Sequence, residues 1–199
     1  MTHIRNQVTI PILNGKLKAQ FITFHGLCDS LEHVALGLGP WETSQIPLVR
    51  LHSECFTGDT FLSSRCDCGA QLQEGLWRCS EEGGILLYLK QEGRGIGRYN
   101  KIDAYSLQIN DGLDTFSANE ALHLPIDSRS YQSAAEMLLA LDKPRIRLLT
   151  NNPEKHKQLL NWGIDVVEII PTGTYMNPDN EDYLRAKMKT GHTLQLTKQ

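Results

Sequence analysis

A chain of 199 residues can bury a core of ordinary size, and 40% hydrophobic with 22% charged residues is the balance of a globular protein that needs no disulfides. A formal net charge of −3 leaves no broad electrostatic footprint for DNA or RNA, though a few well-placed cations would serve a nucleotide. No apolar run reaches the length of a membrane span and the opening MTHIRNQVTIPILNGK is too polar for a secretory signal, so the expected location is cytoplasmic, with no membrane partner.

The first forty residues read as β. Val8 to Leu13 and Lys16 to Phe24 flank Asn14-Gly15, a type I′ hairpin signal, and His33 to Gly39 and Ile46 to His52 read as further strands. Gln71 to Ser80 carries a helical pattern that Gly83-Gly84 stops. Alternation follows. Ile85 to Leu89 is a strand, Gln91 to Gly97 a loop, and Tyr99 to Ile109 a helix. Asn110 to Ser130 reads as polar and irregular, then Ser133 to Leu141 as a helix and Arg145 to Leu149 as a strand. Asn151-Asn152-Pro153 caps a helix running to Gly163, Val166 to Ile170 is a strand, and Glu181 to Lys189 is a helix that Gly191 would cap. A β-rich start followed by strand–helix alternation predicts one α/β or α+β domain over residues 1–199. Its sheet would be mixed and partly parallel, flanked by helices.

Four clusters could carry chemistry. Cys55, Cys66 and Cys68 crowd into fourteen residues of a chain with five cysteines, which points to metal more than to disulfides. Three thiolates leave one tetrahedral position open, the arrangement of a catalytic zinc that lowers the pKa of water for attack on an electron-poor ring carbon. A structural zinc completed by His52 or Cys79, or three reduced core thiols, fits the same spacing. Cys28 and Cys79 read as buried structural thiols. The second cluster is QEGRGIG, Gln91 to Gly97, where three glycines after a strand allow close backbone approach and Arg94 could fork onto phosphate. A plain turn explains it equally well. The third is Asp127 with Arg129, a phosphate clamp or a solvated pair. The fourth is Thr150 to Lys155, where a strand gives way to a helix and ligands of α/β sheets tend to bind, or where a capped helix simply carries a surface lysine.

In order and wording the clusters resemble the GTP cyclohydrolase II family. The matching stretches are RLHSECFTGD (Arg50 to Asp59), SRCDCGAQL (Ser64 to Leu72), GGILLYLKQEGRGIG (Gly83 to Gly97) and NKIDAYSLQ (Asn100 to Gln108). DTFSAN (Asp114 to Asn119), DSR (Asp127 to Arg129), RLLTNNPEK (Arg147 to Lys155) and NPDNEDYLRAKMKTGH (Asn177 to His192) complete the set. The resemblance implies zinc on Cys55, Cys66 and Cys68, magnesium with the triphosphate, GTP as substrate and a homodimer. It implies a GTP site lined by Arg50, Leu51, His52, Ser53 and Glu54, with Gln71 nearby, and nucleotide contacts from Glu92, Gly93, Arg94, Thr115, Thr150 and Lys155. Asp127 would accept a proton, Arg129 would attack the α-phosphorus as pyrophosphate leaves, and Tyr105 would assist ring opening or deformylation.

The chain departs from the family pattern at Arg98, Asp103, Ser117, Leu122-His123-Leu124 and Ser130-Tyr131-Gln132. These departures motivate competing readings: an enzyme that stops at a formamidopyrimidine nucleotide, one that serves another pathway, or a non-catalytic zinc-stabilised nucleotide-binding module.

Overall fold

The computed structural model describes residues 1–189, 191 and 196–198. The elements in chain order are β1 (His3–Ile12), β2 (Leu17–His25), β3 (Val34–Leu38), β4 (Leu48–Ser53), α1 (Cys68–Glu82), β5 (Gly84–Leu89), α2 (Arg98–Asn110) and α3 (Thr115–Ala121). Then come α4 (Gln132–Ala140), β6 (Arg145–Leu149), α5 (Pro153–Asn161), β7 (Asp165–Ile170), β8 (Thr174–Met176), α6 (Glu181–Lys189) and β9 (Leu196–Lys198). The residues divide into two compact units, each assembled from three stretches of chain: Met1–His52, Gln73–Lys90 and Ser130–Thr172 in the first, and Ser53–Leu72, Gln91–Arg129 and Gly173–Gln199 in the second.

The first unit is built on a seven-stranded mixed sheet in the order β1-β2-β3-β5-β4-β6-β7. The strand-rich N-terminal part pairs antiparallel, β1 with β2, β2 with β3 and β3 with β5, while β4, β6 and β7 pair in parallel. The α/β class with a partly parallel sheet is therefore as the sequence predicts. Ile85, Leu87 and Leu89 of β5, Val49 and Leu51 of β4 and Ile146 and Leu148 of β6 enter one core with Ala134, Met137 and Leu138 of α4 and Leu159 of α5. The period of two on the strands and the helical period on α4 meet at this surface.

The hairpin loop is centred on Asn14-Gly15, as the sequence signal suggests: Ile12 pairs with Leu17, Leu13, Asn14 and Gly15 take positive φ (50, 56 and 83), and the N–H groups of Gly15 and Lys16 donate to Ile12 O and Leu13 O at 3.0 and 3.2 Å. Cys79 is a buried thiol as expected, but Cys28 is exposed, with its Sγ 3.1 Å from Ser133 Oγ.

The second unit holds a π-helical turn at Phe56–Thr60, the first turn of α1, a 3-10 turn at Glu92–Gly95, α2, α3, α6 and the parallel pair β8 and β9. α3 falls where the sequence reads as irregular. Asp114 nucleates it, its carboxylate accepting the Phe116 and Ser117 N–H groups at 3.0 and 2.8 Å. Ahead of α6 the side chains of Asn177 and Asn180 tie a turn together: Asn177 Oδ1 accepts from Asp179 N and Asn180 N, and Asn180 Oδ1 accepts from Asn177 N. At the far end Gly191 (φ 82) donates to Met188 O, the cap the sequence suggests. Thr190 and His192, the end of the last matching stretch, lie outside the described residues. Among the described residues no helix is long and apolar enough to cross a membrane.

Candidate active site

The second unit gathers the three cysteines. Their Sγ atoms lie within 4.8 Å of one another, and Cys55 and Cys66 are 3.6 Å apart. Two thiolates on one tetrahedral zinc with bonds of about 2.3 Å stand about 3.8 Å apart, so the trio has the spacing of a metal site. Local structure sets this up. The turn after Cys55 is closed by Asp59, whose Oδ2 accepts Cys55 N–H at 2.9 Å, and Cys68 begins α1. Gly58 keeps the space clear, since a Cβ there would stand 2.8 Å from Cys66 Sγ and 3.1 Å from Cys55 Sγ.

Among the described residues this is the one group of His, Cys, Asp or Glu side chains placed to hold a metal ion. The sequence left open a fourth ligand at His52 or Cys79. Neither is in the clustered group: His52 stacks on Tyr88 and Cys79 lies against Leu48 O. The donor set is three thiols with room for one more ligand, and zinc fits it.

The thiols share charge unequally. Hydrogen bonds from Cys66 and Cys68 hold Cys55 well below the usual thiol range, against its burial and with help from Lys101. In turn the Cys55 sulfur pushes Cys66 up to about 11 and raises Cys68. Lys101 Nζ donates to Cys55 Sγ at 3.1 Å and to Glu92 Oε1 at 2.7 Å, while Glu92 Oε2 accepts Phe56 N–H at 2.6 Å. Burial opposes the charge on Lys101, but Tyr105, Cys55 and Glu92 around it outweigh that and raise its pKa.

A cavity in the same unit is lined by the three cysteines together with Ser53, Glu54, Glu92, Gly93, Arg94, Tyr105, Thr115 and Arg129. Tyr105, four residues beyond Lys101 on α2, is pushed up to about 12, chiefly by burial. Arg129 Nε donates to Asp127 Oδ1 at 2.9 Å and its Nη2 to Oδ2, a bidentate pair that fixes the guanidinium in the cavity wall. Burial raises Asp127, yet the hydrogen bonds and charge of Arg129 outweigh it and hold the carboxyl below its usual range.

The Gly-rich loop lends Gly93 and Arg94 to the cavity wall and is folded tightly on itself. Gly93, Arg94, Gly95 and Gly97 all take positive φ, and the N–H groups of Gly95, Ile96 and Gly97 turn back onto Gln91 O, Gly93 O and Glu92 O. Those amides are spent inside the loop and do not form an open anion cradle. Arg94 O instead accepts Ser128 N–H at 2.9 Å, and a Cβ at Gly95 would lie 3.1 Å from that of Ser128. The glycines let the loop lie against the turn that carries Asp127 and Arg129. Gln71 is buried and donates to Asp67 Oδ2 and Gly173 O.

The remaining sequence-predicted residues belong to the first unit and are brought together there. Lys155 Nζ donates to Leu51 O at 2.7 Å, Arg50 Nη1 to Leu149 O at 3.2 Å, and Thr150 Oγ1 accepts Asn152 N–H at 3.0 Å. Arg50, Leu51, His52, Thr150 and Lys155 are all buried, at the carboxyl ends of β4 and β6 and the start of α5. Sequence reasoning missed Lys101, Gln108, Asn119, Tyr183 and Lys187, which also line the cavity. One signal was available: Lys101 with Tyr105 and Tyr183 with Lys187 are each four apart, one face of a helix.

A sequence profile described as GTP cyclohydrolase II matches residues 3–171. This chain belongs to the GTP cyclohydrolase II family. It is 49% identical over 197 residues to a protein of Psychromonas ingrahamii named GTP cyclohydrolase-2, covering 98% of each chain. It is 48% identical over 199 residues to a protein of Vibrio cholerae with that name, covering 98% of this chain and all of that one. The riboflavin biosynthesis protein RibBA of Bacillus cytotoxicus is 46% identical over 187 residues, 90% of this chain and 47% of that longer one.

Against the family pattern, the departures fall away from the cavity. None of Arg98, Asp103, Ser117, His123, Ser130 and Gln132 is among its lining residues, and Asp103, Ser117, His123 and Ser130 are exposed. Arg98 pairs with Glu54 at 3.3 Å and stacks over Phe56 at 3.9 Å, so it braces the wall from outside.

Proposed function

We propose that this chain hydrolyses GTP, opening the imidazole ring at C8 with release of formate and pyrophosphate to give 2,5-diamino-6-ribosylamino-4(3H)-pyrimidinone 5′-phosphate, the first step of riboflavin biosynthesis. The observation that carries this reading is the convergence, in a family member, of the thiol trio, Tyr105, Glu92, Arg94 and Arg129, itself held by Asp127, on one cavity. A closed structural metal site would need no such company.

Cys55, Cys66 and Cys68 would hold a zinc ion, which supplies Lewis acidity and a nucleophile from water near neutral pH. The rest falls to the protein's own groups. Tyr105, protonated through the neutral range, donates a hydrogen bond to the opening ring or the departing formyl group. Arg129 engages the α-phosphorus as pyrophosphate leaves. The Asp127 carboxylate stands at Nε and Nη2, the atoms from which a proton must depart for the guanidinium to attack. Glu92, Gly93, Arg94, Thr115, Thr150 and Lys155 are assigned to contacting the nucleotide. Arg50, Leu51, His52, Ser53 and Glu54 are assigned to lining the GTP site, with Gln71 nearby. The same reading implies magnesium on the triphosphate, a homodimer and a cytoplasmic setting.

The test is incubation of zinc-loaded protein with GTP and magnesium, with formate, pyrophosphate and the pyrimidine product followed by mass spectrometry. All three are expected. Absence of formate overturns ring opening with deformylation, and a product that keeps its formyl carbon identifies an enzyme that stops one step early.

A further inference from the structure

The residue between two of the cysteines is an acid with nowhere to put its charge in water. The Asp67 side chain is 0% exposed, between Cys66 and Cys68. Its Oδ2 accepts Gln71 Nε2 at 2.8 Å, and its Oδ1 accepts Lys187 Nζ at 2.6 Å. A buried carboxylate beside thiolates is strongly disfavoured without a paired cation. That cation comes from α6, beyond residues 3–171 that match the family profile. One turn earlier on the same helix face, Tyr183 OH lies 3.8 Å from Cys68 Sγ, and its ring centroid is 4.6 Å from Lys187 Nζ. Both side chains line the cavity with the thiol trio, while Leu184 and Ala186 on α6 are buried.

We propose that Lys187 is a positioning residue for the metal site: by neutralising Asp67 it fixes the Cys-Asp-Cys turn so that Cys66 and Cys68 present their sulfurs to one ion. This rests on the reading of the trio as a zinc site. Lys187 acts through Asp67 and need not touch the metal. Groups that orient metal ligands from behind typically change affinity 10–100-fold when removed.

The test is zinc affinity, measured by competition with a chromogenic chelator on the full chain. Wild type, Cys66→Ser, Lys187→Met, Asp67→Asn and the Asp67→Asn/Lys187→Met double variant are compared. Lys187→Met is expected to bind zinc about 10–100-fold more weakly than wild type. In the Asp67→Asn background the same substitution is expected to cost several-fold less, because no buried carboxylate is left unpaired. Lys187→Gln, which keeps a donor and loses the charge, serves the same cycle if Lys187→Met does not fold. Wild-type affinity in the Lys187 variants, or a loss of equal size in both backgrounds, overturns the positioning role. Equal affinity of wild type and Cys66→Ser overturns the zinc reading of the trio itself, and the inference with it.

Discussion

Lys101 Nζ stands 3.1 Å from Cys55 Sγ and 2.7 Å from Glu92 Oε1, so one largely buried ammonium serves a thiolate and a carboxylate at once. Removing one partner of such a buried pair typically costs about 3–5 kcal/mol, since the other charge is stranded. Lys101→Met is therefore expected to lower the stability of the metal-free protein by that order in urea unfolding. The double variant Glu92→Gln/Lys101→Met should recover part of the loss. Equal stability of Lys101→Met and wild type would contradict the network.

Gly58 gives a sharper test of the site's shape. Its missing side chain is what leaves room beside Cys66 and Cys55, and its backbone is not left-handed, so alanine is conformationally acceptable there. A Cβ 2.8 Å from Cys66 Sγ must push the sulfur aside. Gly58→Ala should fold, with a far-ultraviolet spectrum like wild type, yet hold well under one zinc per chain by elemental analysis. Full zinc occupancy would show that the trio tolerates a displacement its geometry forbids.

Much of this architecture is legible in the order of the amino acids, for identifiable reasons. The sheet's strands and α5 announce themselves because apolar period and caps coincide, as with Asn152 and Pro153 opening α5. The trio is legible as a cluster because its members lie close in sequence. What escapes is what depends on a distant partner. α3 hides in a polar stretch because only Asp114's cap declares it. Lys187 looks like any surface lysine until α6 brings it to Asp67, 120 residues away. The glycines of the QEGRGIG loop read equally well as a ligand loop or a plain turn, and their packing against Ser128 depends on a segment more than thirty residues further on.

Tyr105 offers a kinetic test of its protonated state. Its phenol is pushed up to about 12, chiefly by burial, so it stays a donor across the working range of most enzymes. Tyr105→Phe is expected to cost kcat about 10²-fold or more, the usual reach of a positioned acid or base, with KM for GTP little changed. The wild-type pH–rate profile should show no tyrosine limb between pH 6 and about 10. A KM effect alone would make the residue a binding group.

The Arg129–Asp127 pair ties chemistry to pH. Asp127 is lowered because the Arg129 hydrogen bonds and charge outweigh its burial. A carboxylate depressed in the folded state contributes stability that is fully present above its unfolded pKa, about 3.9, and is lost as pH falls through the folded value. The stability advantage of wild type over Asp127→Asn in urea unfolding should therefore be constant from pH 8 to about 5 and shrink only below about 4. On the chemical side, lysine carries the charge but cannot make the two-pronged contact that orients the guanidinium. Arg129→Lys is expected to reduce pyrophosphate release by about 10²–10³-fold while zinc content stays at wild-type level. Formate release measured in parallel separates the two hydrolyses. If ring opening continues while pyrophosphate release fails, Arg129 serves the phosphorus alone; if both fail together, the steps are coupled through this pair.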